Sequence, residues 1–367
     1  MSTVTSSRIN QMSPVLEELG IDAFFATTAV TMGYLSGLHE EGGERLLMLA
    51  LSKTGKARLI APALARTQAE RSGIADIRTW NDGEDPMKLI QELASDWNLE
   101  SSRIAVDDEM RSSILLDLQR TLRRTEFVAG QPVLSELTRK KDAYELGCLR
   151  KAGSMADGAL APVLSEIRVG TTEWEINESL QRNMRKLGGE PAFCIVATGA
   201  NGAEPHHMTD QTPLKLGDVV VMDYGCSFEG YKSDITRVVA LGESTEEQRK
   251  VYEIVYKAFM AGRNAIAPGV LAEDVDKATR KVIEDEGYGE FFVHRTGHGL
   301  GMRIHEEPYI CAGNKHKLEV GNVFSIEPGI YLPGKFGVRI ENIVAVTENG
   351  HESMNAEPSP TLLVVPV

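Results

Sequence analysis

Cysteine is scarce in this 367-residue chain: Cys148, Cys194, Cys226 and Cys311 are dispersed, and no two form a CxxC pair. That argues against a disulfide framework and a zinc–thiolate site, and fits reduced thiols in a cytoplasmic protein. Long apolar runs are missing too. No segment reaches the ~18 uninterrupted apolar residues of a membrane span. The opening MSTVTSSRINQMSPVLEELG lacks the apolar stretch of a signal peptide and reads as a short polar tail followed by an amphipathic helix. Positive charge is in deficit, with 39 Lys and Arg against 53 Asp and Glu, a formal net charge of -14. Nucleic acid and anionic membranes both require a basic face, so neither is an expected partner. The first third of the chain also lacks GxGxxG, GxxxxGK(S/T) and GxSxG, the signatures of nucleotide-binding loops and of a nucleophilic serine.

The length exceeds one ordinary core and predicts two domains. A hydrophobic content of 42% and a charged content of 25% are those of a globular protein. The first domain, 1–133, alternates helical and strand-like segments. A helix is expected near 8–19 and strands at 22–27, 43–51 and 57–62. Residues 63–71 read as helical and 76–80 as a strand. Helices at 85–97 and 109–122 flank a strand at 103–107, and 125–129 is a last strand. Alternation of this kind predicts an α/β domain. Gly130-Gln131-Pro132 breaks the pattern, and the second domain is expected over 134–367. Its long first helix, from 142, opens with Asp142 and Glu145 in a capping-box arrangement. A second helix begins after Thr171 or Thr172, either of which can cap it. Helices at 245–266 and 271–286 then separate two strand-rich stretches. Two helices followed by strands thus occur twice, the order of an α+β domain built from two similar halves.

Those strand-rich stretches carry acidic residues in pairs. VVVMDYGCSFEGYKSDITRVVAL, residues 219–241, holds Asp223 and Asp234. A hairpin turning at Phe228–Glu229 would set them directly opposite, with Cβ atoms roughly 5 Å apart. Like charges at that distance destabilise a sheet unless a cation lies between them. Glu327 and Glu341 repeat the pattern around a turn at Pro333–Gly334. Between the pairs in sequence stands His298, flanked by Gly297 and Gly299, which permit close backbone approach. The same glycines make a helix there improbable, so His294 and His298 do not form an HExxH zinc motif. Four carboxylates and a neutral imidazole balance two divalent cations, about 3.5–4 Å apart in such sites. An oxygen-rich donor set with one nitrogen suits Mn²⁺, Co²⁺, Fe²⁺ or Zn²⁺.

The residues VMDYG with Asp223, YKSDITR with Asp234, HRTGHGLG with His298, SIEPGIY with Glu327 and GVRIENIV with Glu341 resemble the motifs of the pita-bread-fold metallopeptidases. That clan comprises methionine aminopeptidase, aminopeptidase P and prolidase. An α/β N-terminal domain is a mark of its creatinase, prolidase and aminopeptidase P branch. The resemblance implies a creatinase/prolidase-type domain over 1–133 and a pita-bread catalytic domain over 134–367. It implies two metals held by Asp223, Asp234, His298, Glu327 and Glu341, and hydrolysis of the Xaa–Pro bond, first of dipeptides and alternatively at the start of longer peptides. His206, in EPHHMTD, matches a histidine that positions substrate and assists proton movement; its neighbour His207 matches no catalytic position and is expected to be structural or solvent-facing. His305 matches a histidine that meets the scissile carbonyl. Glu327 matches the proton shuttle as well as a metal ligand. His294 matches a wall of the proline pocket, and Arg339 an arginine for the substrate carboxylate. A homodimer is implied as well, with the loop around His39 lining the partner's site. A metal-free amidinohydrolase and a non-catalytic binding domain are the competing expectations, and retention of the five ligands disfavours both.

Overall fold

The computed structural model describes residues 3–367, with side chains described from Arg8 onward. The chain divides into two compact units, one ending at Thr138 and the other starting at Arg139. Among the described residues no helix is long and apolar enough to cross a membrane.

The first unit is a mixed sheet with helices. Its strands are β1 (Ala23–Ala26), β2 (Met48–Ser52), β3 (Ala57–Pro62), β4 (Asp76–Trp80), β5 (Arg103–Val106) and β6 (Glu126–Ala129), in the order β4-β3-β2-β1-β5-β6. All four residues of central β1, AFFA, are buried, as in a strand covered on both faces. The helices are α1 (Thr3–Glu18), α2 (Ala29–Ser36), α3 (Arg66–Arg71), α4 (Met87–Trp97), α5 (Ser112–Thr121) and α6 (Gln131–Thr138). Two of them escape the sequence reading. Six of the eight residues of α2 are buried, so it shows no polar stripe. Its start is fixed by buried Asp107, which accepts from the Thr27 and Thr28 amides at 2.7 and 2.9 Å. In α6, Gly130-Gln131-Pro132 begins a helix rather than ending a domain, since proline is at home in a helix's first turn. The sequence boundary at 133/134 therefore falls inside α6.

The second unit repeats one plan. Helices α7 (Ala143–Leu164) and α8 (Glu173–Lys186) precede β7 (Glu190–Thr198), β8 (Val219–Phe228), β9 (Tyr231–Lys232) and β10 (Ile235–Leu241). Helices α9 (Glu246–Asn264) and α10 (Ala272–Asp285) precede β11 (Gly297–Gly299), β12 (Glu306–Ile310), β13 (Val323–Ile326), β14 (Gly329–Leu332), β15 (Phe336–Arg339) and β16 (Asn342–Thr347). The short strands β17 (Gly350–Ser353) and β18 (Leu363–Val365) close the chain. One sheet runs β18-β10-β8-β7, a second β12-β11-β13-β16-β17, and β14 pairs with β15. Capping boxes start α7 at Asp142–Glu145 and α8 at Thr172–Glu175.

Alternation along β8 decides where its aspartate points. Val220, Met222 and Tyr224 pack with Ala156, Ala159 and Leu180 of α7 and α8. Val219 and Val221 face the other way, into a core with Val255 and Phe259 of α9 and with Phe324, Ile330 and Val338. Asp223 shares the odd-numbered face, and the same period places Asp234 with Val238 and Ala240 of β10. Both carboxylates thus leave the first sheet on the side where the second half of the unit lies.

Candidate metal centre

The β8–β10 hairpin turns one residue later than its sequence predicts. Glu229 and Gly230 form the turn, with φ of 50° and 82°. Phe228 then pairs with Tyr231, and Asp223 pairs with Thr236 rather than with Asp234. The correction moves the register by two positions, so the aspartates become diagonal neighbours and stay on one face. A slip of one would have sent them to opposite faces. Tyr231 anchors the hairpin by donating to Glu145 Oε1 of α7 at 3.0 Å.

The second pair lies at a junction between sheets. Ile326 pairs with Asn342 and Gly329 with Arg339, so the common register sets Glu327 opposite Glu341. Pro328 has no amide hydrogen to continue the ladder, and the backbone opens there. The Glu327 amide turns outward to the Thr296 carbonyl at 2.8 Å, and the Glu341 amide to the Thr236 carbonyl at 3.3 Å. The latter bridge ties the second carboxylate pair to the strand of the first.

His298 enters between them. A Cβ on Gly297 would lie 1.8 Å from the Ser325 carbonyl oxygen, and one on Gly299 2.4 Å from that of Glu307. Only glycine permits this approach. The ring's Nδ1 faces the Gly299 carbonyl at 3.1 Å, which can only accept, so Nδ1 carries the proton. Nε2 is left with a lone pair, 3.4 Å from Glu327 Oε1 and 3.6 Å from Asp234 Oδ2. Burial, reinforced by His305, lowers the His298 pKa to about 3, so the imidazole is neutral, the form that ligates metals. The His305 ring stands edge-on to it at 4.2 Å, and burial lowers its pKa also.

All the candidate residues named from the sequence line one cavity of about 540 Å³: His206, Asp223, Asp234, His294, His298, His305, Glu327, Arg339 and Glu341. The carboxylates there are in an unfavourable state without a cation. Burial and then repulsion from Glu341 and Asp223 raise the Asp234 pKa well above the usual range. Burial and then Glu327 do the same for Glu341. Burial raises Glu327 to about 7 against the pull of Arg339. Among the described residues, five buried side-chain atoms lack a hydrogen-bond partner, and three of them are Asp223 Oδ1, Asp234 Oδ1 and Glu341 Oε1. An orphaned buried carboxylate oxygen is costly, and a cation satisfies it. Ligand atoms of Asp234, His298 and Glu341 lie within 4.8 Å of one another. The residues therefore fit a metal centre.

A second group, Glu173, His207 and Asp210, also falls within 4.8 Å. There each Glu173 oxygen already has hydrogen-bond partners: Oε1 takes the Thr198 amide and Asn201 Nδ2, and Oε2 takes the Asp210 amide and faces His207 Nε2. This is a hydrogen-bonded clamp. His207 is accordingly buried and paired, not solvent-facing.

Arg339 sits differently from its expected role. Nη2 donates to Asp223 Oδ2 at 2.6 Å, Nη1 to the Tyr331 hydroxyl at 2.8 Å and Nε to Thr236 Oγ1 at 3.0 Å. It is buried and holds Asp223 instead of standing free for a ligand. His294 is similarly engaged. Nδ1 faces the Arg295 carbonyl at 2.7 Å and Nε2 the Tyr331 hydroxyl at 2.8 Å. Both nitrogens being engaged, the ring is a neutral wall, its pKa lowered by burial to about 4. The sequence reading missed four contributors. Tyr331 joins His294 to Arg339; Thr236 donates to Glu341 Oε2 at 2.7 Å; Ser325 donates to Glu327 Oε1 at 3.1 Å. Arg295 lines the cavity with its guanidinium 4.4 Å from the Tyr309 ring, and no carboxylate pairs with it among the described residues. Thr236 and Ser325 each lie two residues from a ligand on an extended segment, a spacing that signals a shared face.

Comparison with known proteins matches both units of the chain to known families. The model of metallopeptidase family M24 matches residues 147–348, and that of the creatinase/prolidase N-terminal domain matches residues 8–137. The probable dipeptidase PepE of Mycobacterium tuberculosis is 38% identical over 99% of the chain and 97% of its own length. The Xaa-Pro dipeptidase of Lactobacillus delbrueckii subsp. lactis is 34% identical, over 98% and 99% respectively. The crystal structure of a prolidase from Thermococcus sibiricus superposes with a TM-score of 0.94 at 36% identity, covering 99% of this chain and all of that one.

Proposed function

The chain belongs to metallopeptidase family M24, and from that premise we propose that it hydrolyses the Xaa–Pro bond of dipeptides with two divalent metal ions held by Asp223, Asp234, His298, Glu327 and Glu341. The observation that carries the reading is the set of unpartnered, buried carboxylate oxygens facing a neutral imidazole in one cavity. Full-length similarity to proteins named as dipeptidases favours the dipeptide over a longer substrate. Manganese as the ion, a homodimer as the assembly and the cytoplasm as the location belong to the proposal on family resemblance.

When bound, the ions lower the pKa of water and polarise the scissile carbonyl. The chain's own groups do the rest. Glu327, held at Oε1 by Ser325, takes the proton from the attacking water and passes it to the proline nitrogen. That transfer is essential because the imide nitrogen carries no hydrogen and leaves as a secondary amine. His305, neutral and on the cavity wall, donates to the oxyanion that develops on the carbonyl oxygen. His206 reaches the cavity from its exposed loop and contacts the substrate. His294, fixed by Tyr331, gives the proline ring a neutral wall. With Arg339 committed to Asp223, Arg295 is the cation for the substrate carboxylate.

Alanine release from Ala-Pro and from Ala-Pro-Gly, with the manganese-loaded protein, tests the reading. Ala-Pro is expected to turn over at least tenfold faster in kcat/KM, equivalent to about 1.4 kcal/mol of discrimination. Cleavage of neither substrate would overturn the proposal. Faster cleavage of the tripeptide would replace it with an aminopeptidase.

A further inference from the structure

His206 approaches the cavity from the loop that follows β7. Its own side chain makes no hydrogen bond to the protein among the described residues, and it is exposed. A ring in that position needs its backbone held. The holding groups are on α8, and the site described above makes no use of them.

Glu173 opens α8 and is fully buried. Burying a charged carboxylate is costly unless it is hydrogen-bonded, and this one is bonded throughout. Oε1 accepts from the Thr198 amide at 2.7 Å and from Asn201 Nδ2 at 2.9 Å. Oε2 accepts from the Asp210 amide at 3.2 Å and lies 2.8 Å from His207 Nε2. A carboxylate only accepts, so His207 carries its proton on Nε2 and donates. The helix N-terminus adds a favourable field for the charge. These four partners are not local to one another: Thr198 ends β7, Asn201 is in the following turn, His207 is next to His206, and Asp210 is on the return. One side chain therefore pins the loop at its beginning, middle and end. Backbone bonds complete the clamp, from the Glu173 amide to the Thr212 carbonyl and from the Trp174 amide to that of Asp210, each at 3.1 Å.

We propose that Glu173, together with His207, is a positioning pair that holds His206 in register with the cavity. The inference rests on the peptidase reading for the role of His206, but the clamp itself does not. An error of about 1 Å in placing a catalytic group costs on the order of 100-fold in rate. Loosening the clamp should therefore act on turnover, through His206, without touching any metal ligand.

The test is a double-mutant cycle on Ala-Pro hydrolysis with Glu173→Gln, His206→Ala and the double variant. Glutamine keeps the size but presents its NH₂ to a backbone N–H at one end of the loop. Glu173→Gln is expected to lower kcat/KM by about 10- to 100-fold with bound metal unchanged. In the His206→Ala background the same change should cost less than about twofold, because two residues acting as one unit are not additive. His207→Ala removes a single donor and should show the same pattern with a smaller effect, which covers poor folding of Glu173→Gln. An equal loss in both backgrounds would assign Glu173 a general structural role and overturn the proposal. Amide hydrogen exchange across 199–212 provides a readout independent of activity. Glu173→Gln should accelerate exchange there at least tenfold and leave β8 and β10 unchanged, whereas an unchanged loop would refute the clamp. If the wild type cleaves no Xaa–Pro dipeptide while the loop exchanges faster in the variant, the peptidase reading has failed and the clamp stands.

Discussion

Asp234→Asn is expected to reduce proline release from Ala-Pro at least 1000-fold while the fold survives. The carboxylate stands on the one face shared by Asp223 and by the core of the second half-unit, diagonal to Asp223 and within reach of His298 Nε2 at 3.6 Å. Replacing it removes one ligand oxygen and one of four negative charges, and several kcal/mol of metal-derived barrier lowering corresponds to about three decades in rate. Side-chain size is preserved, while one acceptor oxygen becomes an NH₂ donor. A particular signature separates this loss from misfolding. In metal-free protein Asp234 is a buried carboxyl repelled by Glu341 and Asp223. The asparagine variant, stripped of metal, should therefore melt at a higher temperature than stripped wild type. Loss of activity with a lowered melting temperature would assign Asp234 to the fold instead.

Chelation of the wild type is expected to leave a protein whose stability falls as pH rises above neutrality. In the metal-free state the Asp234 and Glu341 pKa values are raised, by burial first and by mutual repulsion next. Glu327 is raised by burial to about 7 from its ordinary 4.5. A carboxyl with a raised folded pKa stabilises the fold fully below its unfolded pKa, and the contribution is lost as pH climbs through the folded value. Histidines with lowered pKa values oppose this at lower pH. Burial depresses His294 to about 4 and His298 to about 3, so the unfolded chain holds protons there that the fold does not. That opposing term ends near the ordinary histidine value of 6.5. From there upward the carboxyls act alone, each still-protonated one costing about 1.4 kcal/mol per pH unit. Melting temperatures of chelated protein should fall between about pH 6.5 and pH 8, and adding metal should abolish the slope. A rising melting temperature over that interval would contradict the account.

Much of the site is legible in the sequence because strands have a period of two. Any even error in a hairpin register keeps a residue on its face, which is why a misplaced turn still brought Asp223 and Asp234 together. Glu327 and Glu341 were easier, since Pro333–Gly334 marks the turn between them. The wider environment of Arg339 was not legible. Its alternation with Glu341 gives the face, but its engagement by Asp223 depends on strands that meet only in three dimensions. Arg295 was hidden for a related reason: the ring it stacks on, Tyr309, is fourteen residues away on a separate strand. Helix α2 was missed because a helix buried nearly all round has no amphipathic period to read. His207 shows the limit most clearly. Nothing in EPHHMTD distinguishes a histidine that enters the cavity from one that pairs with Glu173, thirty-four positions earlier.

Metal content per chain, measured on protein stripped with chelator, reconstituted with Mn²⁺ and freed of excess ion, tests the central claim most directly. Two equivalents are expected in the wild type, with proline release returning as they bind, and fewer in Asp234→Asn. A reconstituted wild type that holds no metal, or that releases proline at full rate while stripped, would contradict the claim.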